Sequence, residues 1–173
     1  SYLWFGTRDG LNRYDGYQFE TFYKELSDPS SIAGTSILDI AEDQQGGLWF
    51  GTNDGLSYYC KASNSFVNFL SGNWQTRAHI SYVKSLLIDQ EGYLWVGTFS
   101  THGNNRNGVR KYEISTGNGC EVKLRELAHY ALGDIWDLIQ TEDGQIWAGT
   151  THGAYFLDPQ KQNFSSQIGR ASC

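Results

Sequence analysis

A Trp-x-Gly-Thr motif recurs four times in this chain of 173 residues. The four copies read LWFGT, LWFGT, LWVGT and IWAGT, with tryptophans at Trp4, Trp49, Trp95 and Trp147. Subtraction of these residue numbers gives spacings of 45, 46 and 52 residues. A repeat of this length suits one four-stranded propeller blade or a unit of two or three helices.

The sequence around each motif favours strands over helices. The second, third and fourth copies are preceded by SILDIAE, YVKSLLI and DIWDLIQ, and a turn-forming sequence ends each of these apolar runs. Such runs are too short for amphipathic helices and are typical of buried strands. Asp-Gly pairs after the motif indicate hairpins, for which we expect type I′ turns with positive φ at both central residues. Four antiparallel strands per repeat, a to d, predict a β-propeller with the motif on strand b.

The repeated residues are predicted to be structural. The tryptophan would fill the space between neighbouring blades, and the glycine would permit close approach of the next blade. The threonine would bond the adjacent turn. An aromatic ligand platform is the alternative for the tryptophans, but a ligand rarely requires the same residue in every repeat. The structural residues are Trp4, Gly6, Thr7, Trp49, Gly51, Thr52, Trp95, Gly97, Thr98, Trp147, Gly149 and Thr150.

The predicted fold is an all-β propeller fragment of about three and a half four-stranded blades, truncated at both ends. It would occupy residues 1–167. We expect it to be truncated at its start because the chain opens inside strand b. The last six residues, IGRASC, break the repeat, and their back-translation matches one frame of a common sequencing adapter. We therefore expect residues 168–173 to be an artefact. The four blades are expected approximately at residues 1–26, 36–70, 82–127 and 134–167.

Net charge and cysteine positions indicate which partner is excluded and whether a disulfide is expected. Thirteen Lys and Arg against nineteen Asp and Glu give a net charge of −6, which argues against a nucleic-acid partner. Cys60 is predicted in strand c of the second blade and Cys120 at the start of strand d of the third. We expect these positions not to meet, and hence free thiols.

No catalytic or metal-binding pattern is present in the sequence. HExxH, paired-cysteine, Walker and G-x-S-x-G motifs are all missing. The four histidines fall in separate loops without the spacing of metal ligands. We therefore predict no catalytic residue, no metal and no cofactor.

The most varied loops are the candidate ligand site. In a propeller the d–a and b–c loops share one face, and loops on a rigid scaffold concentrate function. Here they are SGNWQTRAHIS, AHYALG and TFSTHGNNRNG, the last seven residues longer than its counterpart TNDG. Their aromatic, amide, Arg and His side chains suit a polar, ring-bearing ligand. The candidate residues are Trp74, Arg77, His79, Phe99, His102, Asn104, Asn105, Arg106, His129 and Tyr130.

Several polar residues have structural interpretations instead. His152 takes the place of the turn residues Asp9 and Asp54, so we interpret it as a turn residue. Three polar residues share one position in strand a and are expected to satisfy backbone groups beside the central channel. These are Asp39, Ser85 and Asp137.

The segments LWFGTRDGLNRYDGYQFETF and DQQGGLWFGTNDGLSYY resemble the two-component regulator propeller repeat. The resemblance covers the chain up to Phe164; the third repeat departs by an insertion after Thr98, and the fourth has His152 and Ala154 in place of the preferred Asp and Leu. It implies a seven-bladed propeller forming the periplasmic sensor of a membrane-anchored, dimeric signalling protein. The output of such proteins is a histidine kinase, often a hybrid, or a diguanylate cyclase. In many relatives the stimulus is an oligosaccharide.

The expected function is therefore ligand sensing by a non-catalytic propeller. The ligand would be an oligosaccharide or another small polar molecule, and the signal would pass to a cytoplasmic histidine kinase. Three alternatives stay open: the sensor of a diguanylate cyclase, an enzyme of the polysaccharide or lactone lyase type, and a protein-interaction scaffold. A carboxylate paired with His or Tyr in one pocket would favour the enzyme.

Overall fold

The chain folds into β-strands throughout the part that the structure describes. The computed structural model describes residues 2–69, 82–99 and 107–166. Those residues form fifteen strands and no helix, so no helix able to cross a membrane is found among them. The strands are β1 (Leu3–Gly6), β2 (Leu11–Tyr14), β3 (Phe19–Phe22), β4 (Ile37–Glu42), β5 (Leu48–Thr52), β6 (Gly55–Cys60), β7 (Ser65–Phe69), β8 (Tyr82–Ile88), β9 (Leu94–Phe99), β10 (Val109–Thr116), β11 (Val122–Tyr130), β12 (Ile135–Gln140), β13 (Ile146–Thr150), β14 (Gly153–Asp158) and β15 (Asn163–Ser166).

These strands form four separate antiparallel sheets, each a meander of consecutive strands. The first sheet has three strands, β1 to β3, and the other three have four strands each, β4 to β7, β8 to β11 and β12 to β15. We call these sheets blades 1 to 4. The Trp-x-Gly-Thr motif lies on strand b of every blade. The prediction of an all-β propeller with about three and a half blades is confirmed.

The motif tryptophans pack between successive blades, as expected. Trp49 of blade 2 is fully buried in one cluster with Val83, Leu94 and Val96 of blade 3. Trp95 of blade 3 is buried in the equivalent cluster with residues of blade 4. Trp4 is partly buried against blade 2, with its ring centroid 4.9 Å from that of Tyr59. Blades 1 to 3 therefore each use one indole to hold the blade that follows.

The motif glycines allow the next strand a to approach. A Cβ at Gly51 would lie 2.6 Å from the carbonyl oxygen of Val83, and a Cβ at Gly97 would lie 2.7 Å from Ile135 Cγ2. Real Cβ contacts are not that short, so only glycine fits at these positions. At Gly149 the closest atom would be 3.8 Å away. The close approach is thus a property of the blade interfaces.

The motif threonines close the b–c turns. Thr52 Oγ1 accepts the backbone N–H of Asp54 at 3.0 Å and donates to the carbonyl oxygen of Gly55 at 2.9 Å. Thr7 and Thr150 make the same two bonds in blades 1 and 4. The predicted role of the threonine is confirmed. The threonine hydroxyl thus connects strand b to the turn and to the start of strand c.

The expected type I′ geometry of these turns is wrong. Among the described non-glycine residues only Asn64 and Gln162 have a positive φ, so the residue before the turn glycine does not. The glycines themselves are left-handed, with φ of 115° at Gly55 and 118° at Gly153. The left-handed residue is therefore the glycine that begins strand c, and the Thr side chain bonds to this glycine and to the residue before it. His152 is a turn residue, as interpreted, but not a left-handed one.

The prediction of free thiols is also wrong. Cys60 and Cys120 form a disulfide, with their Cα atoms 5.2 Å apart. Cys60 ends β6 of blade 2, and Cys120 lies in the c–d turn of blade 3, just before β11. Strand labels alone placed the two cysteines in different blades. However, the c–d ends of neighbouring blades lie side by side, so a strand end and a turn can meet there.

Candidate functional site

The structure tests only part of the predicted ligand site. Phe99, His129 and Tyr130 lie within the described residues. The other seven candidates lie outside them: Trp74, Arg77, His79, His102, Asn104, Asn105 and Arg106.

His129 and Tyr130 were assigned to a loop, and this placement is wrong. Both belong to β11, which continues to Tyr130 and pairs with β10. The Tyr130 ring stacks on Trp95 with centroids 6.2 Å apart and meets Phe164 edge-on at 5.0 Å. Burial raises the pKa of the Tyr130 hydroxyl. Tyr130 thus packs between blades 3 and 4, while the exposed His129 lies opposite Arg110 on the outer hairpin.

Phe99 lies in an aromatic patch at the end of blades 3 and 4. Its ring centroid is 5.2 Å from that of Trp136 and 6.2 Å from that of Tyr82. Tyr82 begins β8 and pairs with Phe99 at the end of β9, and Trp136 lies at the start of β12. The patch is therefore at the d–a and b–c end of the blades, where the sequence predicted a site. We call Tyr82, Phe99 and Trp136 the aromatic patch.

The patch is open to solvent. Trp136 is 50% exposed, which is unusual for a residue of this size on an inner strand. Tyr82 and Phe99 are partly exposed beside it. Buried aromatic rings serve packing, but rings with one exposed face are available for stacking by a ligand. Lys84 adds a charge, because its Nζ lies 5.9 Å from the centroid of the Trp136 ring.

A repeated β-bulge produces this arrangement. The register between strands a and b shifts at the same place in three blades, which inserts Leu38, Lys84 or Trp136 as an extra residue. A bulge re-aims the side chain of the inserted residue. The apolar run DIWDLIQ indicated a regular buried strand, so Trp136 was missed. One signal was available: Trp136 and Trp74 are the two of the six tryptophans outside the repeated motif.

The polar column beside the bulge is structural, as expected. Asp39 accepts the backbone N–H of Leu86 in blade 3 at 2.7 Å. Ser85 accepts the backbone N–H of Leu138 in blade 4 at 3.0 Å. Burial, more than any neighbouring charge, raises the pKa of the Asp39 carboxyl. These side chains therefore join consecutive strands a rather than offering free groups to a ligand.

Clefts elsewhere on the described surface include a pair on blades 1 and 2. The larger, about 700 Å³, borders Trp4 and Tyr59 at the opposite end of blades 1 and 2. Its guanidinium, Arg13, is already bonded to Glu20, Asn64 and Tyr59. The smaller, about 400 Å³, lies over the ion pair of Lys24 and Asp54. Within residues 2–69, 82–99 and 107–166 no three His, Cys, Asp or Glu side chains are grouped to hold a metal.

The fold and its repeated contacts define the chain as part of a β-propeller with an exposed aromatic patch. The two-component regulator propeller family matches residues 31–54, 79–100 and 130–152. Each match spans a strand a, the following Trp-x-Gly-Thr motif and the start of the b–c connection. Three of the four repeats of this chain therefore match the two-component regulator propeller family, which confirms the resemblance read from the sequence.

Solved structures with the same fold include two bacterial signalling proteins. The extracellular domains of two B. thetaiotaomicron proteins described as hybrid two-component systems match with TM-scores of 0.62 and 0.53. The chain is 21% and 19% identical to them and is covered over 90% and 95% of its length. It spans only 20% and 28% of theirs. At these identities the likeness establishes the fold.

A third structure with this fold is described as a gluconolactonase. It is 16% identical, with a TM-score of 0.56, and the match covers 94% of this chain and 58% of that protein. No curated protein matches the sequence. The same fold thus occurs in proteins described as hybrid two-component systems and in one described as a gluconolactonase, and the fold alone does not fix the function.

Proposed function

We propose that this chain is part of the extracytoplasmic, ligand-sensing propeller of a membrane-anchored two-component sensor. Its ligand is an oligosaccharide or a similar ring-bearing polar molecule, and its signal reaches a cytoplasmic histidine kinase. Two findings support the sensor assignment. The repeats belong to the two-component regulator propeller family, and the fold is that of extracellular domains of proteins described as hybrid two-component systems.

The aromatic patch is the observation that carries the ligand-binding part of this proposal. Three rings from two blades lie at one end of the propeller, and the Trp136 ring is half exposed. The motif tryptophans Trp49 and Trp95 are buried by the blade that follows, but Trp136 is not. Flat apolar ring faces beside polar groups suit the alternating apolar and hydroxyl surfaces of a sugar ring. The predicted loop residues, among them Trp74 and Arg106, would extend this site.

The disulfide supports an extracytoplasmic location. Cys60 and Cys120 are sixty residues apart in sequence and join blade 2 to blade 3. Disulfides of this structural kind form and persist in oxidising compartments such as the bacterial periplasm, and are rare in the cytoplasm. Free cysteines would be compatible with either compartment. The disulfide therefore supports the periplasmic location that the repeat family implies.

Calorimetric titration of a panel of neutral and acidic oligosaccharides tests ligand binding. Trp136→Ala removes the exposed ring, and we expect the affinity to fall about fivefold to tenfold, the loss typical of one aromatic contact. Tyr17→Ala is the matched control, because Tyr17 is 95% exposed but lies in the c–d turn of blade 1. Binding that is equally weakened by both variants, or no binding to any saccharide, would contradict the proposal.

An enzyme of the polysaccharide or lactone lyase type is the second candidate. The observation that favours it is the fold likeness to a protein described as a gluconolactonase. The described patch offers rings and an ammonium group, whereas Asp137, the carboxylate next to Trp136, accepts the backbone N–H of Leu138. Product analysis after incubation of the same saccharide panel, and of aldonolactones, distinguishes the two. Turnover that is lost in a patch variant would favour the enzyme.

A further inference from the structure

We infer that the ligand of the aromatic patch is an anionic saccharide, one that carries carboxylate groups as uronic acids do. The inference rests on the proposed function and specifies the chemistry of its ligand. The group that would recognise the carboxylate is Lys84, the inserted residue of the bulge in blade 3. The bulge places this ammonium group at the patch itself, over the ring of Trp136 in the next blade.

Lys84 is not used by the fold in the way that the other buried or half-buried cations are. Among the ion pairs of the described residues, none includes Lys84. In contrast, Lys24 pairs with Asp54, and Lys111 lies 3.9 Å from Asp89. The aligned residues in the flanking blades, Leu38 and Trp136, are uncharged, so the repeat itself does not require a cation at this position.

The carboxylates that directly follow the bulge residues of blades 2 and 4 are already engaged. Asp39 accepts the backbone N–H groups of Ile40 and Leu86. Asp137 accepts the N–H of Leu138 and lies 3.4 Å from the hydroxyl of Ser85. These carboxylates hold the strands together. A partly exposed ammonium beside an exposed ring therefore remains available to a negative group that arrives with the ligand.

The sequence that adjoins the patch has the same sign of charge. Segments 70–81 and 100–106 directly precede Tyr82 and follow Phe99 in the chain. Together they contain Arg77, Arg106 and two histidines, and no Asp or Glu, although the whole chain carries a net charge of −6. Basic residues that lack acidic neighbours in the adjoining sequence favour anionic ligands over cationic ones.

The test compares two ligands that differ in the charge of their carboxyl groups, trigalacturonate and its fully methyl-esterified form, titrated against the full chain at low salt. We expect the acid to bind about twofold to fivefold more tightly than the ester, the range of one partly exposed ion pair. Lys84→Gln should remove this difference, and Lys84→Arg should keep it. Lys61→Gln is the control, because Lys61 is exposed in a c–d turn at the other end of the blades. Raising the salt to 1 M should also abolish the preference, since screening then acts over about 3 Å.

The outcomes separate this inference from the function on which it rests. Equal affinities for acid and ester, both weakened by Trp136→Ala, overturn the anionic ligand but leave saccharide binding in place. A preference for the acid that survives Lys84→Gln also overturns the inference, because the charge would then be recognised elsewhere. If neither ligand binds and Trp136→Ala changes the affinity for no member of the wider panel, the inference and the proposed function fail together.

Discussion

The indole Nε1 of Trp95 donates a hydrogen bond of 2.7 Å to the carboxylate Oδ2 of Asp89, six residues earlier in the chain. Asp43 and Trp49 make the same bond at 3.0 Å in blade 2. The second oxygen of each carboxylate accepts backbone N–H groups of the a–b turn. One buried acid therefore joins the turn to the tryptophan that holds the next blade. In blade 4 the aligned residue is Thr141, which bonds within its own turn.

We expect Asp43→Ala to lower the free energy of unfolding by about 1–3 kcal/mol, since it leaves buried N–H groups without an acceptor. Urea denaturation of the purified chain measures the change. Asp143→Ala is the control, because Asp143 is an exposed residue of the equivalent turn in blade 4 and should leave the midpoint unchanged. Equal losses of unfolding free energy in the two variants would contradict a special stabilising role for the buried Asp43 carboxylate.

The two glycines Gly51 and Gly149 form a matched pair at the same repeat position. Neither has a positive φ, so alanine is acceptable to the backbone at both. At Gly51 the added Cβ meets the Val83 carbonyl oxygen at 2.6 Å, whereas at Gly149 nothing lies closer than 3.8 Å. We expect Gly51→Ala to destabilise the fold by about 1–3 kcal/mol, the usual cost of overpacking. Thermal melts should show Gly149→Ala close to wild type; a similar loss there would contradict the packing argument.

The disulfide between Cys60 and Cys120 is expected to stabilise the join of blades 2 and 3. A bridge across a loop of this length typically contributes about 2–4 kcal/mol by restricting the unfolded chain. Addition of dithiothreitol should therefore lower the melting temperature of the wild type. The double variant Cys60→Ser with Cys120→Ser should start at the lower temperature and not respond to the reductant. If mass spectrometry confirms reduction and the melting temperature of the wild type is unchanged, the disulfide does not stabilise the fold and the prediction is wrong.

Blade 1 exposes the surface that in the other blades receives the preceding tryptophan. Leu3, Phe5 and Phe19 are 59%, 45% and 63% exposed, while the aligned Phe50 and Phe66 of blade 2 are buried. We expect this chain to self-associate or aggregate through that face. In sedimentation velocity, Phe5→Lys with Phe19→Glu should shift the chain toward monomer.

Leu26→Glu provides the control for this experiment. Leu26 is 96% exposed but lies in the d–a loop after blade 1, away from the sheet face. The substitution should leave the sedimentation profile unchanged. A wild-type chain that is monomeric across the accessible concentration range would contradict the prediction, because the apolar face would then be tolerated by solvent.

Repetition explains what could be read from the sequence. Trp49, Gly51 and Thr52 recur in register with their counterparts, so one physical role per residue accounts for four positions at once. From this repetition we predicted the division into blades, the order of the strands within each blade and the tryptophans between blades, and the structure confirms all three. Repetition does not predict a contact that occurs at only one of the blade interfaces. The pairing of Cys60 with Cys120 depends on which strand ends lie side by side.

The site was less predictable because it depends on local departures from the repeat. Trp136 is exposed by a bulge, and a bulge leaves no mark in a short apolar run. Tyr130 was assigned to a loop because β11 is longer than the other outer strands, which the turn signals did not reveal. Phe99 was placed correctly because it directly follows a motif whose strand and direction were known. Positions close to the repeat were therefore the reliable ones.

Hydrogen–deuterium exchange with and without bound saccharide tests most directly that the aromatic patch is the binding site. The ligand would be the tightest binder of the oligosaccharide panel, at saturating concentration. We expect protection at residues 82–85, 97–99 and 134–137, which carry Tyr82, Phe99 and Trp136. Protection confined to the turns at the other end of the blades, residues 43–47, 61–64 and 89–92, would contradict it and move the site to the opposite face.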